Sequence, residues 1–248
     1  MSTHRTAVII PARWASSRFP GKPLHPLGGK PLIQHVWEKA MKAKGIDSVI
    51  VATDDMRIAE CAFEFGAEVA LTSPRCVSGT DRCAEVAKRL NSVDAVLNVQ
   101  GDEPFIEPKL ITKLARDLSA HPELEMITAA TPFEPGEDAE SMDVVKVVLN
   151  RAAEALYCSR SLIPRVRDGG PFPHLRHLGI YGYRTSFLLQ FVRWKPGKLE
   201  AAESLEQLRA LENGAKIRVV LTRHRSLGVD TPADALRAEA LLRANKVR

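Results

Sequence analysis

The loop after the first apolar segment carries three cations among small residues. Residues 11–24 read PARWASSRFPGKPL and include Arg13, Arg18 and Lys22. Arginine can hold a phosphate through two hydrogen bonds, and lysine offers a mobile point charge. Backbone N–H groups of such a loop can add further donors. The loop therefore predicts a triphosphate site, although a solvated basic loop explains the same residues.

Two aspartates in distant segments could hold a metal ion. Asp102 directly follows an apolar run that ends at Gly101, and Asp230 lies in the sequence GVDTP at 228–232. Mg²⁺ prefers oxygen ligands and usually binds one or two carboxylates together with substrate phosphates. We therefore expect Asp102 and Asp230 to bind Mg²⁺. The alternatives are an Asx-turn at Asp102 and a hydrogen bond beside a helix N-terminus at Asp230.

The segment 77–82, VSGTDR, could contact a nucleobase. Its candidate residues are Ser78, Gly79 and Thr80, at the beginning of a predicted helix. Hydroxyls and exposed backbone groups at such a position can form hydrogen bonds with the edge of a pyrimidine. A cap on the following helix, formed by Ser78 or Thr80, is the alternative.

Five polar residues in the second half of the chain are further candidates. Lys146 lies inside an apolar segment, and a buried lysine needs an anionic partner. Lys146 is therefore a candidate contact for a phosphate or a carboxylate. The other four, each weak alone, are Arg160, His177, Glu206 and Gln207. Packing in the interior explains His177 equally well, and the polar face of an amphipathic helix explains Glu206.

The first half of the chain alternates short apolar segments with helix-like segments. We predict strands at 6–10, 48–52, 67–71 and 95–99, and helices at 32–44, 56–65 and 81–90. This alternation predicts an α/β fold whose sheet is mainly parallel and has helices on both faces. Ligands of such sheets bind beyond the carboxyl ends of the strands. The cationic loop and Asp102 both follow such ends.

The second half of the chain is less regular. We predict strands at 143–149, 155–157, 178–184 and 217–221, and helices at 186–194 and 203–213. Gly214 is suited to end the second of these helices. Thr231 and Pro232 predict the N-cap and the first residue of a last helix.

Composition limits the classes of protein to which the chain can belong. The chain has 248 residues, of which 45% are hydrophobic and 26% charged, as in ordinary globular proteins. No apolar run approaches the roughly 18 residues that span a bilayer, and Pro11 interrupts the first apolar run too early for a signal peptide. The four cysteines form no CxxC pair, which favours free thiols in a reducing compartment. We expect a cytoplasmic protein with no membrane partner.

Taken together and in order, these segments resemble the CMP-Kdo synthetases, the 3-deoxy-manno-octulosonate (Kdo) cytidylyltransferases. The matching stretches are 10–24, 51–54, 78–82, 98–104, 144–149, 155–160, 176–183, 199–214 and 228–232. The resemblance implies a nucleotidyltransferase-like, Rossmann-type fold in one domain over 1–248. Within it, about 150–200 would form a smaller, partly β excursion for dimerisation and sugar binding.

The resemblance also implies substrates, a cofactor and an assembly. The substrates are CTP and Kdo, joined for lipopolysaccharide synthesis, the cofactor is Mg²⁺, and the assembly is a homodimer. Residues 163–170 lack the aromatic side chain that often follows Pro164 in the family. The sugar acid is therefore open between Kdo, amino-Kdo and sialic acid.

Individual residues take roles from the family motifs that they match. Residues Arg13, Arg18 and Lys22 match the triphosphate loop of the family. The aspartates Asp102 and Asp230 match its metal-binding pair. The turn on the cytosine side is matched by Ser78, Gly79 and Thr80. Gln100 matches a residue near the junction of sugar and nucleotide. The positions around the sugar acid are matched by Arg160, His177, Glu206 and Gln207.

Two other classes of protein compete with this interpretation. A nicotinamide-dependent dehydrogenase shares the sheet type, but the first strand is not followed by GxGxxG, and Pro23 after Lys22 excludes a Walker A loop. A nucleic-acid-binding module is suggested only by the net charge of +5. Because Lys and Arg are dispersed along the chain, small anionic substrates are favoured and no nucleic-acid partner is expected.

Overall fold

The computed structural model describes residues 4–15, 18–225 and 227–246, and most of its strands form one sheet. The strands are β1 (Thr6–Ala12), β2 (Pro26–Leu27), β3 (Lys30–Pro31), β4 (Ser48–Thr53), β5 (Glu68–Leu71), β6 (Ala95–Asn98), β7 (Met126–Pro132), β8 (Lys146–Leu149), β9 (Ala155–Ser159), β10 (Leu175–Arg184) and β11 (Ile217–Leu221).

Eight α-helices are found in the described part of the chain. They are α1 (Leu32–Met41), α2 (Met56–Glu64), α3 (Gly79–Ala87), α4 (Pro108–Ala120), α5 (Thr185–Phe191), α6 (Lys198–Glu203), α7 (Gln207–Glu212) and α8 (Pro232–Lys246). A 3₁₀ turn at Lys22–Leu24 lies between β1 and β2. None of the helices in these ranges has both the length and the apolar character needed to cross a bilayer.

The nine-stranded sheet has the order β11-β7-β10-β6-β1-β4-β5, and β8 joins β10 to β9. Strand β1 pairs in parallel with β4 and β6, and β4 pairs in parallel with β5. Strand β10 is antiparallel to both β6 and β7, whereas β11 is parallel to β7. The predicted mainly parallel sheet is therefore confirmed, with β10 antiparallel to its neighbours and with β8 and β9 paired antiparallel beside it.

Helices pack on both faces of the sheet, as predicted. On one face Val8 and Ile10 of β1 join the apolar sides of α1, α2 and α4. On the other face Ile9 joins α3, α5 and α7. Complete burial of an aliphatic side chain contributes roughly 1.5–3 kcal/mol, so these two layers hold the carboxyl edge of the sheet rigid.

Several elements were not predicted, and one predicted helix is only partly correct. The sequence did not predict the short strands β2 and β3, strand β7, or helices α4 and α6. The two alanines in the middle of β7, Ala129 and Ala130, weaken its strand signal. The helix predicted at 203–213 is broken, because Ser204 takes a left-handed conformation with φ 52° and separates α6 from α7. Strand β8 is shorter than predicted and begins at Lys146.

Candidate active site

Gly21 fixes the shape of the cationic loop. Its φ is +71°, and a Cβ atom there would lie 2.9 Å from the ring of Trp14, so both the conformation and the packing require glycine. Its backbone N–H donates to the Trp14 carbonyl at 3.1 Å. The 3₁₀ turn then begins at Lys22, with Pro23 in its first positions. Residues 16–17 of the loop lie outside the described residues.

The five charged residues predicted for catalysis line one cavity of about 390 Å³. The Lys22 ammonium donates to Asp102 Oδ2 at 2.7 Å and to Asp230 Oδ1 at 3.1 Å. The Arg18 guanidinium lies 3.3 Å from Asp230 Oδ1, and Arg13 lines the same cavity. Side chains from three distant segments therefore converge at the carboxyl edge of the sheet.

A backbone hydrogen bond joins the two segments that carry the aspartates. The N–H of Val229 donates to the Asp102 carbonyl at 2.8 Å. Val229 is completely buried in a small core with Leu27 and Leu32 and two alanines of α8. This core holds Asp230 beside Asp102, although the two residues are far apart in sequence.

The side chain of Asp230 does not cap the last helix. The backbone N–H groups of Asp230 and Thr231 donate to the carboxylate of Asp234, at 3.2 and 2.9 Å. The predicted N-cap Thr231 accepts from the Asp234 N–H at 3.2 Å. Because Asp234 and Thr231 form the cap, the carboxylate of Asp230 is left to face Lys22 and the cavity.

The donor atoms in this cavity fit a magnesium ion. The carboxylates of Asp102 and Asp230 both lie within hydrogen-bonding distance of one nitrogen, so they are close enough to share one cation. Within the described ranges no group of three or more His, Cys, Asp or Glu side chains forms a metal site. A pair of carboxylates with room for phosphate oxygens suits Mg²⁺, which seldom takes a complete cage of protein ligands.

Ser78 and Gly79 form one wall of the cavity, whereas Thr80 points into the protein. Ser78 is the N-cap of α3 in a capping box with Asp81, so the capping alternative holds for its side chain. Ser78 and Gly79 still line the cavity. Thr80 is buried, and its hydroxyl donates to the carboxylate of Glu206.

Two residues of this wall were not predicted from the sequence. The guanidinium of Arg82 is buried, donates to the Thr72 hydroxyl and lies 3.2 Å from Asp54. The Cys76 thiol donates to Glu85 at 3.2 Å, and burial together with that carboxylate raises its pKa to about 11. The signal for Arg82 was its place in the segment 78–82; none existed for Cys76.

The candidates of the second half form a separate, largely buried group. His177 is 8% exposed, shares a hydrogen bond of 2.9 Å with the Thr128 hydroxyl, and burial lowers its pKa to about 4. The Tyr181 hydroxyl donates to Gln207 at 3.1 Å, and burial raises the pKa of Glu206. His177 and Gln207 therefore offer hydrogen bonds as neutral side chains at neutral pH.

Arg160 and Lys146 are held mainly by backbone carbonyl groups. The guanidinium of Arg160 donates to the carbonyls of Glu203 at 2.8 Å and Met142 at 3.1 Å. The buried ammonium of Lys146 donates to the carbonyls of Ser141 at 2.9 Å, Val144 at 2.7 Å and Arg160. The expected anionic partner of Lys146 is thus replaced by three carbonyl oxygens, which accept all three N–H donors of its ammonium group.

Gln100 lies between the two groups of candidates. It lines the main cavity and also a second cavity of about 60 Å³ that contains His177. Its side-chain amide donates to Asn98 at 3.1 Å, which fixes its orientation. Gln100 therefore links the charged cavity to the cavity beside His177, and the hydrogen bond from Thr80 to Glu206 provides a second link.

Comparison with known proteins shows close relatives over the whole chain. A family model described as cytidylyltransferase matches residues 7–217. A 3-deoxy-manno-octulosonate cytidylyltransferase of Anaeromyxobacter sp. (strain Fw109-5) is 53% identical over 242 residues, covering 97% of this chain and 98% of that protein. A protein of the same name from Zea mays is 45% identical over 248 residues, covering 98% of this chain and 83% of that protein.

Solved structures agree with the sequence relatives. A structure of CMP:2-keto-3-deoxy-manno-octonic acid synthetase complexed with CTP has a TM-score of 0.93 and 40% identity, and the match covers 97% of this chain and 99% of that one. A 4-diphosphocytidyl-2C-methyl-D-erythritol synthase of Anaerococcus prevotii has a TM-score of 0.62 at 18% identity, covering 97% of each chain. The second likeness concerns the fold alone.

Proposed function

The chain belongs to the cytidylyltransferase family, and on that premise we propose that it transfers CMP from CTP to Kdo and releases pyrophosphate. The convergence of Arg13, Arg18, Lys22, Asp102 and Asp230 in one cavity carries this proposal. The names of the full-length relatives support Kdo over amino-Kdo and sialic acid as the acceptor. They also support a role in lipopolysaccharide synthesis.

In this proposal the oxygen of the sugar's anomeric hydroxyl attacks the α-phosphorus of CTP in line with the bond to pyrophosphate. That bond breaks, pyrophosphate leaves, and the proton of the hydroxyl passes to solvent. Arg18 and Lys22 neutralise the charge that develops on the departing phosphates. Arg13 orients the triphosphate. The Cys76 thiol is protonated near neutral pH because its pKa is raised, so it does not serve as a nucleophile. The protein contributes mainly positioning and charge neutralisation.

We propose that Asp102 and Asp230 hold Mg²⁺. When bound, Mg²⁺ would supply charge neutralisation at the phosphates and a lower pKa for the attacking hydroxyl. The two carboxylates provide the oxygen ligands, and the Val229–Asp102 hydrogen bond keeps them together. The site thus depends on a contact between residues of two separate segments.

The remaining candidates recognise the two ends of the substrate pair. The backbone at Ser78 and Gly79 contacts the cytosine side, where it forms the cavity wall. The buried His177 and Gln207 and the half-buried Glu206 offer hydrogen bonds to sugar hydroxyls. His177 acts as a neutral imidazole at neutral pH because burial lowers its pKa to about 4. The roles of Arg160 and Lys146 towards the sugar stay predictions.

We also propose a cytoplasmic homodimer built from single-domain subunits. Strand β9 pairs with β8 alone among the named strands, and its Leu156 is 61% exposed. Phe172, in the loop before β10, is also exposed. An exposed strand edge with apolar side chains is suited to pairing between subunits, which supports dimerisation through about 150–200. The free thiols at the four cysteines support a reducing compartment.

Pyrophosphate release tests the proposed function. Each of the four nucleoside triphosphates is combined with Kdo, amino-Kdo or sialic acid in the presence of Mg²⁺, and the initial rate is measured. We expect turnover with CTP and Kdo, and much slower turnover with every other pair. A preference for another nucleotide would contradict the nucleotide assignment, and a preference for another acid with CTP would replace the acceptor.

A further inference from the structure

Arg57, at the beginning of α2, stacks on the aromatic residue of the cationic loop. Its guanidinium carbon lies 3.4 Å from the centroid of the Trp14 ring. A cation over the face of a tryptophan is attracted by the negative potential of the ring. This contact connects the turn after β4 with the loop after β1, two segments that meet at the carboxyl edge of the sheet.

Asp55 holds the guanidinium of Arg57 in place. Arg57 donates from Nε to Asp55 Oδ1 at 3.0 Å and from Nη2 to Asp55 Oδ2 at 2.6 Å. Asp55 is also the N-cap of α2 and accepts from the Arg57 N–H at 3.0 Å. The paired hydrogen bonds restrict the guanidinium to one plane, so Arg57 offers Trp14 a fixed surface.

Trp14 in turn contacts the backbone that carries two phosphate-binding cations. It directly follows Arg13, and a Cβ atom on Gly21, which directly precedes Lys22, would lie 2.9 Å from its ring. Trp14 also packs against the main core of the sheet. A displacement of the ring would therefore shift the backbone beside Arg13 and the backbone beside Lys22 together.

We infer that Arg57 is a positioning residue, which acts through Trp14 to fix the loop that holds the triphosphate. This inference rests on the proposed function and adds a residue to it. Arg57 does not itself line the described cavity, so it is not a phosphate ligand there. Its side chain is 56% exposed, and an exposed ion pair with Asp55 contributes little to stability. The role that remains is to set the geometry of the loop.

Kinetics of the Arg57→Met variant measure this role. A cation–π contact at an exposed site corresponds to roughly two- to five-fold in an equilibrium constant. We expect the KM for CTP to rise by about that factor, with kcat changed less than two-fold. The KM for Kdo should change less than the KM for CTP, because the loop is proposed to hold the triphosphate.

Three further variants distinguish a positioning role of Arg57 from a general loss of folded structure or surface charge. Arg57→Lys keeps the positive charge but loses the planar group that pairs with both Asp55 oxygens, and should restore only part of the affinity for CTP. Arg116→Met removes a similarly exposed arginine that has no aromatic partner, and should leave the KM unchanged. In a double-mutant cycle, Trp14→Leu should make the Arg57→Met change ineffective, because the two side chains act through one contact. Independent, additive effects would overturn the inference.

A structural measurement tests the same contact without turnover. In protein labelled with 5-fluorotryptophan, the fluorine signal of Trp14 is assigned by its loss in Trp14→Leu. Arg57→Met should shift that signal and leave those of Trp37 and Trp194 in place, and it should weaken binding of inorganic tripolyphosphate two- to five-fold. An unshifted Trp14 signal and unchanged tripolyphosphate affinity would overturn the inference. Failure of the wild-type chain to use CTP would instead count against the proposed function.

Discussion

The charged cavity and the buried group next to it use polar side chains in opposite ways. In the cavity, Lys22, Asp102 and Asp230 contact one another, and half of the Asp230 side chain is exposed. In the buried group, Lys146 is completely buried and His177 nearly so, and both are satisfied by neutral partners. The two regions touch through Gln100.

The difference shows where charge is available for a reaction. The ion pairs of Arg18 and Lys22 with Asp230 line an open cavity, so a charged substrate can reach them and take the place of one partner. Buried groups have their hydrogen bonds fixed by the fold, so replacing them costs stability. Substitutions in the cavity should therefore lower activity alone, and substitutions in the buried group should lower stability.

The largest effect is expected at the aspartates of the cavity. Asp102→Asn and Asp230→Asn should each lower kcat by about a thousand-fold or more, because each removes a carboxylate proposed to hold the metal. The free energy of unfolding should change by less than about 1 kcal/mol in either variant. Initial rates at saturating CTP and urea denaturation measure the two quantities.

Asp168→Asn is the matched control for these variants. Asp168 is an exposed aspartate that lies 3.8 Å from Arg167. The Asp168→Asn variant should retain the rate and the free energy of unfolding of the wild type. If Asp102→Asn kept a rate near that of the wild type, the metal assignment would be wrong, and the comparison between the two regions would lose its basis.

Substitution of Lys22 and Lys146 should have smaller effects than the aspartate variants, and it separates loss of activity from loss of stability. Lys22→Met should lower kcat/KM for CTP by about a hundred-fold with little loss of stability, because it removes a charge at the phosphates. Lys146→Met should leave the KM for CTP within about two-fold and cost roughly 1–3 kcal/mol of stability, because three carbonyl oxygens lose their donor. Equal losses of activity in both variants would show that Lys146 also acts on the substrate.

The smallest expected effect is a pH dependence of stability at His177. Burial lowers the pKa of His177 from 6.5 to about 4 in the folded protein. As the pH falls below 6.5, the unfolded chain gains a proton that the folded protein does not take up until about pH 4. The free energy of unfolding therefore falls across that window, by about 2 kcal/mol between pH 7.5 and pH 5.

Urea denaturation of the wild type and of His177→Gln at several pH values measures this term. The wild type should lose about 2 kcal/mol more than the variant between pH 7.5 and pH 5. Parallel curves for the two proteins would contradict the burial of a neutral imidazole at this position.

The parts of the fold that follow from local pattern were predictable. The strands β1, β4, β5 and β6 are short apolar runs bounded by turns, and each lies close to its expected place. The topological rule for parallel sheets then placed the cationic loop and Asp102 at one edge. The resemblance to the family is confirmed by relatives that match nearly the whole chain.

The remaining features depend on contacts that no local pattern contains. Ser204 breaks the helix predicted at 203–213, and a serine in a left-handed conformation has no distinctive sequence signal. The carbonyl partners of Lys146 come from a turn and from the end of β9, and only the folded chain brings them together. The contact of Arg57 with Trp14 joins two loops in the same way.

Metal binding in the presence of CTP tests the central claim most directly. Mn²⁺ can stand in for Mg²⁺, and its binding to the protein with CTP is followed by electron paramagnetic resonance in the wild type, Asp102→Asn and Asp230→Asn. We predict one shared site that is weakened by more than ten-fold in both variants alike. Wild-type Mn²⁺ affinity in either variant would contradict a site built from both carboxylates.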